Sequence, residues 1–453
     1  MRSIGIKLAA LSLFAMTGLS LLGGYGGKIT LDKPDGFYRV GETAVCKVTL
    51  LKDDVPLKGT KARMILRWDG GDVEKKDFET TGSPVEFSYT GKAPGCVYFG
   101  FQVLGDDGKP LAGKGVYKHS AKPTIVTEAG AMFDPEKIVS CVREPADFDA
   151  FWAARVKEAE AAPLDPVMTK LDSGVEGVEL FAVTLKAARG LTATGYLAYP
   201  AGAKPKSLPA HLSFLSLSYV DANRRNALAM AKNGLLAFHA SWHGFPLGRE
   251  AKFYKTEVRK YFKGGFRDIE DKEKWVCSDI FFRVLCELKF IKSLPQWNGR
   301  ELVVSGGSLG GIQTAFAAAI DPQVTLALVA VPSFCECNGF EAGRRSNGIY
   351  RRIPVEKLKA HPEYLETGFY YDTVNFGKRI KCETFVCTGF ADEACHPSNV
   401  YAFYNAIPAT VKKSMSTNPF TGHYGTTRNV KGDARLRKMF RQVVISAQPP
   451  DAR

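Results

Sequence analysis

Cysteine is thinly spread in this chain: ten in 453 residues, with no Cys-x-x-Cys pair. That is too sparse for a disulfide scaffold and lacks the spacing of a structural zinc site. Most of the ten read as small buried apolar filler. Cys46 and Cys96, both in strand-like runs, leave room for a single bridge. Glycine and proline, at 44 and 24, are too few for a fibrous or low-complexity chain. Beyond residue 22 no apolar run is long enough to cross a bilayer, so no stable membrane anchor is expected in the mature protein. Hydrophobic residues make up 45% and charged ones 24%, which excludes long disorder. The charge is one-sided, with 61 Lys+Arg against 47 Asp+Glu. Yet the basic residues are interleaved with acids. The densest basic stretch (Arg428, Lys431, Arg435, Arg437, Lys438, Arg441) has the spacing of a solvated helix face, so nucleic acid is not an expected partner.

What is present starts with an export signal. Arg2 and Lys7 precede the uncharged run Leu8–Leu22, followed by Gly23-Gly24-Tyr25-Gly26-Gly27. This is the layout of a secretory signal peptide over residues 1–26, giving a secreted or periplasmic protein. Residues 28–122 then read as a small all-β sandwich. Alternating runs such as Ala44–Leu50, Ala62–Trp68 and Val97–Val103 are parted by Asp/Gly/Lys turns. A linker is expected over Ser120–Ala131. From 132 to 450 strands and helices alternate, which predicts an α/β domain with a mostly parallel sheet flanked by helices.

The chemistry concentrates at one turn. The strand Glu301–Ser305 runs into Gly306-Gly307-Ser308-Leu309-Gly310-Gly311 and then into an Ala-rich helix. Bare Gly-x-Ser-x-Gly is weak evidence. The doubled glycines in a strand–turn–helix setting are far more specific for a nucleophile elbow. The missing Lys after the glycines argues against a phosphate loop. At the helix N-terminus the Leu309 amide is placed to meet a developing oxyanion. A nucleophilic serine needs a base, and the base an orienting acid; on this fold the chain order is Ser, acid, His. His423 lies in the loop Phe420–Gly425 and is the candidate base. His396, beside Pro397, reads as a capping or surface residue. Asp392, just after the strand Thr384–Thr388, is the candidate acid. Its competitor Glu393 reads as a helix-start charge. Trp242 and Phe245, in the loop after Leu235–Ala240, either stack on a sugar ring or pack as core or lid.

Together these segments resemble the acetyl xylan esterase / cephalosporin-C deacetylase family of carbohydrate esterases, an α/β-hydrolase family. The similarity runs from about Pro145 to Ile445. It rests on Asp147-Phe-Asp-Ala-Phe-Trp152, the elbow at 306–311, Asp372–Cys382, the acid segment Asp392–Asn405 and Gly422-His423-Tyr424. It implies Ser308 as nucleophile, Asp392 as acid and His423 as base. Three places depart from it. Leu309 stands where Gln is common, His243-Gly244-Phe245 replaces an Arg-Gly-Gln stretch, and Leu215–Tyr219 replaces an oxyanion loop, making Leu217 the candidate second donor. The expected function is a secreted serine esterase that takes acetyl groups from carbohydrates such as acetylated xylan and needs no metal or organic cofactor. Its partners would be the acetylated carbohydrate and, at most, further copies of itself. A peptidase or other acyl hydrolase on the same fold is the enzymatic alternative. A catalytically inactive carbohydrate-binding protein is the other.

Overall fold

A computed structural model of the chain describes residues 24–429, apart from 70, 72 and 114–123. The apolar run of the expected signal peptide, the final helix expected near 434–445 and nearly all of the basic stretch fall outside the described residues. Among the described residues no helix is long and apolar enough to cross a membrane.

The first region is a sandwich of two sheets. Strands β1 (Tyr25–Leu31), β2 (Phe37–Tyr38), β3 (Thr43–Lys52), β4 (Val55–Pro56), β5 (Lys58–Trp68), β6 (Val73–Thr81), β7 (Val85–Thr90), β8 (Gly95–Val103) and β9 (Thr127–Phe133) build it. In one sheet β3 is flanked by β1 on one side and by β7 and β4 on the other. The other sheet has the order β2-β9-β8-β5-β6. Strand alternation sorts the side chains. Ala62, Met64 and Leu66 of β5, Val97, Phe99 and Phe101 of β8, and Ala129, Ala131 and Phe133 of β9 fill the space between the sheets. Cys46 and Cys96 are both buried and both free, so the bridge considered from sequence is not formed. Cys46 packs between the sheets, whereas Cys96 faces away from them into a separate cluster with Phe390 and Tyr401.

Two boundaries differ from the sequence reading. β1 begins at Tyr25, inside the segment expected to be cleaved. The expected linker contains β9, a central strand of the five-stranded sheet. Its middle, Ala129-Gly130-Ala131, has small side chains and no alternation, because both of its faces are closely covered there.

The second region holds β10 (Val167–Leu171), β11 (Val178–Lys186), β12 (Thr192–Pro200), β13 (Leu208–Phe214), β14 (Leu236–Ser241), β15 (Trp297–Gly307), β16 (Leu326–Ala330), β17 (Glu383–Gly389) and β18 (Lys413–Asn418). They form one sheet in the order β10-β11-β12-β14-β13-β15-β16-β17-β18, antiparallel as far as β14 and parallel from there on. In the middle of it, Leu302, Val303 and Val304 of β15 are fully buried, as a strand covered on both faces requires. The helices are α1 (Phe148–Ala161), α2 (Arg224–Ala231), α3 (Ala251–Phe262), α4 (Ser278–Ser293), α5 (Leu309–Ile320), α6 (Val355–Ala360), α7 (Pro362–Tyr370), α8 (Thr373–Gly377), α9 (Pro397–Ala406) and α10 (His423–Asn429). The Phe-Asp-Ala-Phe-Trp run has a packing role. Trp152 of α1 meets Phe316 of α5 at 4.7 Å between ring centroids, and its Nε1–H donates to Tyr370 O at 3.0 Å. Phe281 of α4, Tyr371 and Phe376 complete the aromatic cluster.

Because Trp152 ties α1 to α4, α5, α7 and α8 and is almost fully buried, Trp152→Ala should cost about 3–5 kcal/mol of stability. Urea unfolding followed by far-UV circular dichroism measures this. A midpoint close to the parent's would contradict the packing role.

Candidate active site

Ser308 sits between β15 and α5 with φ 58° and ψ −117°, a conformation that a side-chain-bearing residue holds only under strain. The backbone fixes it there. Its N–H donates to Ala330 O of β16 at 3.0 Å, and its carbonyl accepts from Gly311 N–H at 2.9 Å and Ser333 N–H at 3.1 Å. The neighbouring glycines answer to space. A Cβ at Gly306 would lie 2.4 Å from Gly310 O, and one at Gly310 would lie 2.6 Å from Phe214 O. Strand and helix therefore pass backbone to backbone, leaving the Ser308 side chain half-buried at the tip. Leu309 opens α5, so its amide belongs to the turn whose N–H groups have no acceptor within the helix.

Asp392 and His423 come from the loops after β17 and β18, the last two strands of the sheet. The His423 Nδ1–Asp392 Oδ2 distance is 2.8 Å. Asp392 is 1% exposed. Its Oδ1 accepts from the amides of Ala394 at 2.8 Å and Cys395 at 2.9 Å. Burial disfavours a charged imidazole, but the Asp392 carboxylate outweighs it and holds the His423 pKa well above the usual value. The Cys395 side chain also interacts with the ring, a neighbour that sequence reading did not single out. His423 heads the short helix α10, where a glycine-flanked loop was expected.

The competing readings resolve by contact. Glu393 points elsewhere, into ion pairs with Arg67 of the sandwich and with Arg345. His396, expected at the surface or as a cap, is buried at the start of α9 and makes no side-chain cap; its Nδ1 lies 3.0 Å from Asp69 Oδ1. Trp242 is fully buried and edge-on to Phe262, so the sugar-stacking alternative fails for it. Phe245 packs against His243, Phe253 and Tyr261, as a core or lid residue would.

The loop 215–219 lies beside the elbow. Ser216 Oγ donates to Gly307 O at 2.7 Å, and Gln313 Nε2 of α5 donates to Leu215 O at 3.3 Å. The Leu217 side chain within it is exposed. In the following 243–245 stretch His243 is neutral, since burial pushes its pKa down to about 4. The cation here is Arg283 of α4, which donates to Thr192 O at 2.9 Å and to Tyr261 Oη at 3.2 Å. Gly244 has φ 67°, and a Cβ there would lie 1.9 Å from Thr192 O. One further carboxyl, missed in the sequence, stands near Asp392. Glu128 of β9 accepts from Tyr98 Oη at 2.9 Å, and burial, with a smaller contribution from the Asp392 charge, raises its pKa to about 7. Among the described residues, no three His, Cys, Asp or Glu side chains converge as metal ligands would.

A largely parallel sheet, with a strained serine at a strand–helix turn and an acid–imidazole pair on the neighbouring strand ends, makes this an α/β-hydrolase. The chain belongs to the acetyl xylan esterase (AXE1) family, which matches residues 136–436, and is a carboxylic ester hydrolase. It is 27% identical over 402 residues to acetyl esterase Axe7A of Xylanibacter ruminicola, covering 87% of this chain and 85% of that protein. Acetyl xylan esterase structures from Paenibacillus sp. R4 and Thermoanaerobacterium sp. JW/SL YS485 share the fold. Their TM-scores are 0.58 and 0.55, with 22% and 18% identity, over 68% and 70% of this chain and 98% of each of theirs. The sandwich precedes the family-matched residues.

Asp392 is the largest of the groups that raise the imidazole pKa, with Cys395 adding to it, so Asp392→Asn should lower the His423 pKa from its raised position. A nitrogen-15 NMR titration of labelled histidines reads this directly. An unchanged His423 titration would show that the carboxylate is not the cause.

Proposed function

We propose that this chain is a secreted serine esterase that hydrolyses acetyl esters of carbohydrates, with Ser308, His423 and Asp392 as its triad. The observation that carries the reading is the 2.8 Å Asp392–His423 contact after β17 and β18, in the same sheet whose strand β15 ends in the strained serine elbow, in a chain of the acetyl xylan esterase family. Secretion rests on the signal-like residues 1–26 alone. Acetylated sugar as substrate rests on the family and on the names of its relatives.

In this scheme neutral His423 accepts the Ser308 hydroxyl proton as Oγ attacks the ester carbonyl. Asp392 accepts the Nδ1–H, fixes the tautomer and stabilises the imidazolium that forms. The Leu309 amide meets the oxyanion, with a second donor from the 215–219 loop, where Leu217 is the candidate. The imidazolium of His423 then gives its proton to the departing sugar oxygen, which leaves as the hydroxyl. Water, activated by the same imidazole, cleaves the acetyl-enzyme to acetate and frees Ser308. Every proton and electron pair in this cycle is handled by groups of the chain, the substrate and water.

Two outcomes test it. Ser308→Ala should lower acetate release from acetylated xylan oligosaccharides by at least about 10³-fold with the fold intact. Parent-like release by that variant would sink the triad, and hydrolysis of 4-nitrophenyl acetate without release from the oligosaccharides would sink the substrate. The base works only when neutral, and its pKa is raised. So kcat/KM should be low in acid and climb with pH through an apparent pKa above the ordinary imidazole value of about 6.5. A profile already flat at pH 6 would contradict the assignment of His423.

A further inference from the structure

Part of the face of the five-stranded sheet that points away from the sandwich core is covered by the second region. All nine residues of β8 are buried, including the outward-facing Cys96, Tyr98 and Gln102. Over Cys96, Phe37 and Gly130 the cover is the segment bearing Asp392. Cys96 Sγ donates to Phe390 O at 3.5 Å, and the Phe37 ring meets the Phe390 ring edge-on at 5.2 Å. Gly130 of β9 lies so close that a Cβ on it would sit 2.1 Å from Phe390 O. The Gly130 N–H donates to Pro419 O at 2.8 Å, on the segment leading to His423. One backbone position of the sandwich thus touches both segments that carry the acid–imidazole pair.

The polar contacts lie on the far side of Asp392. Asp69, at the end of β5, is 1% exposed. Its Oδ1 accepts from Ser398 Oγ at 2.8 Å and lies 3.0 Å from His396 Nδ1. Arg67, on the same strand face, pairs with Glu393. The loop 390–398 is therefore gripped before Asp392 by Gly130 and Cys96, and after it by Arg67 and Asp69.

We infer that the N-terminal sandwich is a working part of the active site, and that Asp69 is a positioning residue which, through its hydrogen bond from Ser398, holds the Asp392 loop in register with His423. This deepens the esterase reading and rests on it for the role of Asp392. Asp69 touches no reacting atom. Its effect reaches the chemistry through the 2.8 Å acid–imidazole contact alone, so its loss falls on turnover and leaves substrate binding in place. Asparagine keeps an acceptor oxygen at the same place, whereas alanine removes it.

The test uses the full chain and three variants: Asp69→Ala, Asp69→Asn and Ser398→Ala, the last a milder break in case Asp69→Ala does not fold. Two readouts are taken beside a melting curve. One is kcat and KM on 4-nitrophenyl acetate. The other is the low-field Nδ1–H proton resonance of His423, assigned by its absence in His423→Gln. Asp69→Ala should lose about 100-fold in kcat with KM little changed, and its low-field resonance should shift or broaden. Asp69→Asn should restore both, and Ser398→Ala should fall between. Unchanged kcat and an unchanged resonance in a folded Asp69→Ala or Ser398→Ala variant would overturn the inference, even where melting falls. Should the parent itself not cleave the ester, the function proposed above fails, and the resonance still decides whether Asp69 holds the pair.

Discussion

A carboxylate taken out of water must be repaid by hydrogen bonds, or several kcal/mol of desolvation go uncompensated. Asp392 faces this condition at 1% exposure. One oxygen takes the amides of Ala394 and Cys395, which fixes the shape of the loop after β17. The other takes His423, which fixes the loop after β18. Both loops are then committed to one arrangement. The imidazole is pinned by a bond that helps to raise its pKa, after the last strand of the sheet whose β15 carries the elbow. Any change that loosens this carboxylate removes orientation and charge stabilisation together.

Reading the site from sequence works where the local chain dictates its own geometry. The elbow is such a case. Gly306 and Gly310 are needed because backbone atoms pass within 2.4 and 2.6 Å of where a Cβ would stand, so the demand is written in consecutive residues. Asp392 and His423 were legible by chain order and by their position after strands. What sequence could not give is which face a side chain turns to. Glu393 and His396 differ from Asp392 only by a few positions, yet both turn to the sandwich, to Arg67 and Asp69. Those partners lie more than 300 residues away along the chain. Trp242 is a similar case: its loop position suggested a site wall, and only the packing of Phe262 shows that the ring is interior.

The strand most plainly missed is β9, and the reason is physical. A strand with one solvated face announces itself by alternation. In β9 the inward residues Ala129 and Ala131 are small to fit between sheets, and outward Gly130 is bare to admit the backbone of Phe390. Close approach on both sides strips residues 129–131 of the bulky side chains that mark a strand, and the segment reads as a linker. The same poverty of side chains is what lets β9 reach two active-site segments at once.

The 243–245 stretch shows how a buried loop avoids the cost of an unpaired charge. A buried cation there would need partners, and His243 avoids the cost by staying neutral with its pKa near 4. The charge enters from Arg283 of α4 instead, where backbone and phenolic oxygens receive it: Thr192 O, Trp242 O and Tyr261 Oη. Gly244, with no Cβ to spare, lets Thr192 O come near enough for that bond. The loop is thus tied to α4 and β12, while 215–219 is tied to the elbow through Ser216 and Gln313. Trp242 links the two, donating from Nε1 to Ser218 O at 3.3 Å. A fully buried tryptophan therefore bears on the loop that flanks the serine elbow, by packing and one hydrogen bond.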